Sequence, residues 1–60
     1  LELPIPITTA DMVRELERER SYRERVYPRL VEAGKLPQHR ADRQIAVLDA
    51  AIQCLRDWRA

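Results

Sequence analysis

The stretch Ala41-Asp42-Arg43-Gln44-Ile45-Ala46-Val47-Leu48-Asp49-Ala50-Ala51-Ile52-Gln53-Cys54-Leu55 decides the fold. Ala41, Ile45, Leu48, Ile52 and Leu55 recur at unbroken steps of four, three, four and three. Only one face of an α-helix collects that spacing. Pro37 precedes the run and suits a first helical position, so the second helix is expected over 37–58. Beside this stripe runs another at the same spacing: Gln44, Val47, Ala51, Cys54 and Trp58. Together the two widen the apolar arc to about 180°.

Working backwards, Gly34 is the only glycine of the chain and stands where a preceding helix needs a left-handed cap. Lys35 follows it, near the negative end of that helix's dipole. The connection from Gly34 to Pro37 is too short for anything but an antiparallel return. Such a return sets Leu30 near Ala41, Val26 near Ile45 and Leu16 near Leu55. The first helix is expected over about 9–33. Thr8 forms a capping box with Asp11, with Thr9 as the competing cap, and Ile7 and Met12 are spaced as a hydrophobic staple.

Met12, Val13, Leu16, Val26, Tyr27, Leu30 and Val31 fall within an arc of about 140°. Two features disturb that face. The run Glu17-Arg18-Glu19-Arg20-Ser21 interrupts it, and Pro28 lies within it. A proline removes one backbone hydrogen bond and crowds the carbonyl four residues back, so the helix either kinks near Glu24 to Tyr27 or restarts at Pro28. Leu30 and Val31 keep the phase of Met12 and Leu16, which favours a kinked but continuous helix. Arg23 points to the centre of the apolar arc and must find a partner or reach water. A Glu19–Arg23 ion pair, or one with an acidic residue of a neighbouring chain, would set the register of the bundle; snorkelling along the groove is the alternative.

The fold class expected is therefore all-α, an antiparallel two-helix hairpin spanning residues 9–60 as one domain, with residues 1–8 as an extended arm. Pro4 and Pro6 keep that arm from being helical, and Leu3, Ile5 and Ile7 either lie across an apolar surface or form a loosely ordered terminus. The hairpin core would be Leu16, Val26, Leu30, Ala41, Ile45, Leu48, Ile52 and Leu55. One seam cannot also cover Gln44, Val47, Ala51, Cys54 and Trp58, and uncovered apolar strips of that kind mark interfaces. Either the arm folds back over the strip, or a second copy seals it into a dimeric four-helix bundle, which is the reading favoured here.

Size points the same way. A chain of 60 residues buries only about 60% of the surface its unfolded form exposes, so a further staple is expected. Cys54 is the only cysteine, so a disulfide could only join two chains; on a helix such a thiol more often acts as a small buried hydrophobe. With one cysteine and one histidine, His39, a structural metal site lacks its ligands. No cofactor or metal is expected, nor a small-molecule substrate. With one serine and no glycine-rich loop or paired-ligand motif, no enzyme is expected either.

Eleven basic and ten acidic residues give a net charge of +1, so no global field favours nucleic acid or an anionic membrane. No apolar run reaches the roughly 20 residues of a membrane span, and Leu1 to Ile7 lacks the pattern of a signal peptide. The chain opens on Leu1 rather than methionine, as a segment of a longer sequence would. Locally, Arg14, Arg18, Arg25 and Arg29 form a basic stripe opposite the apolar arc, and Lys35, His39, Arg40 and Arg43 surround the turn. Either could contact anions. Against this, the helix from Met12 to Ala33 holds six basic and five acidic residues, spaced to neutralise one another.

The run Arg23-Glu24-Arg25-Val26-Tyr27-Pro28-Arg29-Leu30-Val31-Glu32-Ala33-Gly34-Lys35, followed by Ala41-Asp42 and Gln44-Ile45-Ala46-Val47-Leu48, resembles short uncharacterised proteins of bacteriophages and prophages. The likeness spans Leu16 to Leu55 and is most specific over Val26 to Lys35. Where that family permits a polar helix cap, this chain has Pro37. The resemblance implies a phage or prophage setting, hence the cytoplasm of a bacterial host cell, and carries over no site residues. The function expected is a non-enzymatic protein–protein interaction module, homodimeric and open to a further protein partner. The alternative is a nucleic-acid-binding accessory protein using the arginine stripe.

Overall fold

A computed structural model describes residues 6–58. Two helices pack against each other as an all-α hairpin: α1, Thr9–Glu32, and α2, Gln38–Asp57, with no strand among the described residues. Of the extended arm only Pro6 to Thr8 can be described, and all three are exposed; Leu3 and Ile5 lie outside the described residues.

The start of α1 follows from the chemistry of Thr8. Its backbone is extended (φ −99°, ψ 164°), its hydroxyl accepts from the Asp11 N–H at 3.1 Å, and its own N–H donates to Asp11 Oδ2 at 3.0 Å. Thr8, not Thr9, is therefore the cap, and two otherwise orphaned donors are satisfied reciprocally. The expected staple adds little, since Ile7 and Met12 are both exposed. At the other end Gly34 takes φ +73°. The Lys35 N–H donates to the Leu30 carbonyl at 2.9 Å and the Gly34 N–H to that of Val31 at 3.0 Å. That pair of bonds is the Schellman arrangement, which only a left-handed residue after the last turn permits.

α1 runs through Pro28 without a break, so the restart alternative does not occur. Pro28 is exposed, and a proline ring on the outer face of a helix need not obstruct the seam. α2 starts one residue later than its sequence indicates. Pro37 is the cap residue (φ −63°, ψ 142°), its carbonyl accepting from the N–H groups of Arg40 and Ala41 at 3.1 Å, and no side chain caps this end.

Packing is carried unequally by the two helices. Ala41, Leu48 and Ile52, at 3%, 9% and 6% exposure, are the buried core, and all three belong to α2. Ile45 and Leu55 of the same stripe, and Leu16, Val26 and Leu30 of α1, are half-buried. The reason lies in the seam of α1, which reads Val13, Leu16, Arg20, Arg23, Tyr27, Leu30 at alternating steps of three and four. Its two central positions are arginines, so no residue of α1 is buried.

Candidate interaction surface

The contacts across the seam are polar. Arg20 donates from Nε to Asp49 Oδ1 at 2.5 Å and from Nη2 to Oδ2 at 3.3 Å, a two-pronged pairing of guanidinium with carboxylate. The same guanidinium reaches Glu24 Oε2 at 2.6 Å. Hydrogen bonding to Asp49, then the Asp49 charge, raises the Arg20 pKa above its ordinary value. The Tyr27 hydroxyl donates to Gln44 Oε1, and Arg56 pairs with Glu17 near the open end. Tyr27 against Gln44 has the same register as Val26 against Ile45, and Glu17–Arg56 and Arg20–Asp49 are offset from it by two residues in opposite directions. The helices therefore return in the expected register.

Glu19 and Arg23 do pair, at 2.8 Å, and this hydrogen bond raises the Arg23 pKa. Both residues sit on α1, however, so the pair cannot set the register of the two helices. Arg20 with Asp49 does that. The signal for Arg20 lay in the continuation of Val13 and Leu16 by a four-residue step, which the charged run around it obscured.

One flank of the hairpin is closed by Glu17–Arg56 and Arg20–Asp49; the other carries the surplus strip. Gln44 and Ala51 are half-buried there, while Val47, Cys54 and Trp58 are exposed, Val47 at 55% and Trp58 at 59%. Cys54 therefore does not act as a buried hydrophobe within its own chain. The described part of the arm does not cover the strip, since Ile7 is itself 58% exposed. Trp58 is the cap residue after α2 and lines an open groove of about 490 Å³ at the mouth of the hairpin with Val13, Leu55 and the Glu17–Arg56 pair, so its ring lies beside that pair and not against Val47. A second open groove, of about 470 Å³, lies against the strip near the turn. Its floor is Val47 and Leu48, and its walls are Arg23, Arg40, Arg43 and Gln44.

The whole chain exposes 5274 Å², more than the about 4,100 Å² expected of a compact folded monomer of 7.1 kDa. The radius of gyration of 14.5 Å likewise exceeds the about 10.4 Å of a compact chain of this length.

The expected basic stripe divides in two. Arg14 and Arg18 are held 3.5 Å from Asp11 and Glu15 on the same helix. Arg25 and Arg29 form no ion pair among the described residues, and neither do Lys35, Arg40 and Arg43 at the turn. Among the described residues no group of three or more histidine, cysteine or acidic side chains is placed to hold a metal ion. No helix among them is long and apolar enough to cross a membrane. In comparisons with known proteins, this chain matches no family model, no curated protein and no solved structure.

Proposed function

We propose that this chain is a non-enzymatic interaction module that binds protein through the uncovered flank of α2, and that the first protein it binds is a second copy of itself. One observation carries the reading. Val47, Cys54 and Trp58 are exposed beside a seam whose buried core is only Ala41, Leu48 and Ile52, so the apolar surface most available for burial lies outside the hairpin. Isologous pairing uses that flank twice and yields a four-helix bundle. The likeness of Val26 to Lys35 to phage and prophage proteins supports a bacterial cytoplasmic setting, in which the basic turn would meet a host or phage protein.

Val47→Glu tests this directly. At 55% exposure the new carboxylate is tolerated in a lone hairpin but not in a dry interface. The variant is expected to sediment as a monomer where the unaltered chain sediments as a dimer. Equal masses for the two would defeat the reading.

Arg25, Arg29, Lys35, Arg40 and Arg43, which form no ion pair among the described residues, favour a second reading, an accessory protein that grips nucleic-acid phosphates. It requires an affinity for random duplex DNA that falls steeply as salt rises. Absence of binding at low salt would dismiss it.

A further inference from the structure

The geometry points to an antiparallel pairing of α2 with α2 of a second copy, its two-fold axis passing beside Ala51. This deepens the self-association proposed above and rests on it.

Two features bear on the pairing: the strip fixes where two copies cross, and charge selects their orientation. The first is the strip itself. Ala51 lies midway along it, seven residues from Gln44 and seven from Trp58, arms of about 10 Å each at 1.5 Å per residue. An antiparallel partner crossing there overlays the strip on itself along its full length. Ala51 is small and half-buried, so two helix backbones can approach closely at the crossing.

The second feature is charge. The turn half of the hairpin, residues 23–47, holds six basic residues (Arg23, Arg25, Arg29, Lys35, Arg40, Arg43) and three acidic ones (Glu24, Glu32, Asp42). The open half, residues 6–22 and 48–58, holds four basic residues (Arg14, Arg18, Arg20, Arg56) and six acidic ones (Asp11, Glu15, Glu17, Glu19, Asp49, Asp57). The hairpin is thus positive at its turn and negative at its mouth. A parallel partner would set like ends together, whereas an antiparallel one sets each turn against the other's mouth and opposes the two helix dipoles favourably.

The groove walled by Arg23, Arg40 and Arg43 gains an occupant in this arrangement. Gln44 comes opposite Trp58 of the second copy, so the aromatic end of one α2 meets the arginine groove of the other. Trp58, turned out of the groove it lines with Glu17 and Arg56, supplies an apolar ring for the Val47 floor and a π face for a guanidinium. Asp57 supplies a carboxylate.

Thiol crosslinking reads the orientation. In the antiparallel dimer the two Cys54 thiols lie about 9 Å apart along the axis, beyond the reach of a disulfide. Position 47 comes opposite position 55, one residue from Cys54. The exposed substitution Val47→Cys, with Cys54 retained, is expected to shift most of the chain into a covalent dimer on mild oxidation, with peptide mapping showing residue 47 joined to residue 54. The unaltered chain, oxidised alongside, is expected to remain uncrosslinked while sedimenting as a dimer. A disulfide between the two Cys54 residues of the unaltered chain would establish parallel pairing and overturn the inference while leaving self-association standing. A dimeric Val47→Cys variant that gives no 47-to-54 link would overturn it too. A monomer of the unaltered chain would remove the self-association on which it rests.

Discussion

Single residues set the ends of α1, and their contributions can be measured separately. Thr8 and Asp11 satisfy each other's backbone donors; Thr8→Ala is expected to cost about 1 kcal/mol and to speed amide exchange at Asp11 and Met12 while leaving α2 protected. Asp11 adds a pH dependence. The hydrogen bond from the Thr8 backbone N–H, followed by that between the two side chains, holds its pKa below the ordinary 3.8. A carboxylate with a depressed folded-state pKa stabilises fully above its unfolded value, and the gain is lost as pH falls through the folded one. Protection at the start of α1 should therefore hold above 3.8 and fail below it, with a smaller change in Asp11→Asn. Gly34 has φ +73° and open space where a Cβ would project, so Gly34→Ala meets no clash and reports backbone strain alone. Thermal unfolding should show a loss of about 1–2 kcal/mol; no loss would mean that the turn is held otherwise.

At the scale of the element, the two helices divide the work unevenly. α2 was legible almost to the residue, because Ala41, Ile45, Leu48, Ile52 and Leu55 keep one phase and periodicity is the strongest signal a helix writes into its sequence. The expected span of 37–58 exceeds the observed Gln38–Asp57 by one residue at each end, since Pro37 is stereochemically at home both as the cap and as the first helical residue, and Trp58 takes the extended backbone of a cap. The caps of α1 were legible for the same local reason: Thr8, Asp11 and Gly34 act within a few residues of themselves. Its seam was not. Arg20 and Arg23 occupy positions that an apolar pattern reads as gaps, and the partner of Arg20 is Asp49, 29 residues away, a relation no local pattern contains. Asp49 is exposed on the closed flank, where it resembles any solvated carboxylate until the helices are brought together. Pro28 interrupts the backbone bonding of α1 without ending it. Pro28→Ala is therefore expected to raise the melting temperature, by up to about 3 kcal/mol in stability; a fall would show that the proline shapes the seam.

For the whole molecule, the decisive fact is that α2 is apolar on two adjacent faces while the hairpin has one seam. Ala41, Leu48 and Ile52 fill that seam, and Gln44, Val47, Ala51, Cys54 and Trp58 are left beside it. The candidate surface was visible in the sequence as a second 4-3 stripe, but its exposure was not. An arm of apolar residues offered another cover; of its described part Ile7 lies in water, and Arg20–Asp49 and Glu17–Arg56 close the opposite flank. The charge division between turn and mouth depends on the fold as well, because it appears only when residues 6–22 are brought beside 48–58. Self-association should accordingly weaken in high salt if the ends of two copies face each other. Sedimentation equilibrium of the unaltered chain tests the central claim most directly. The account predicts a concentration-dependent mass approaching twice 7.1 kDa, with helicity that falls on dilution as the dimer dissociates. A folded, fully helical chain of single mass at every concentration would contradict it.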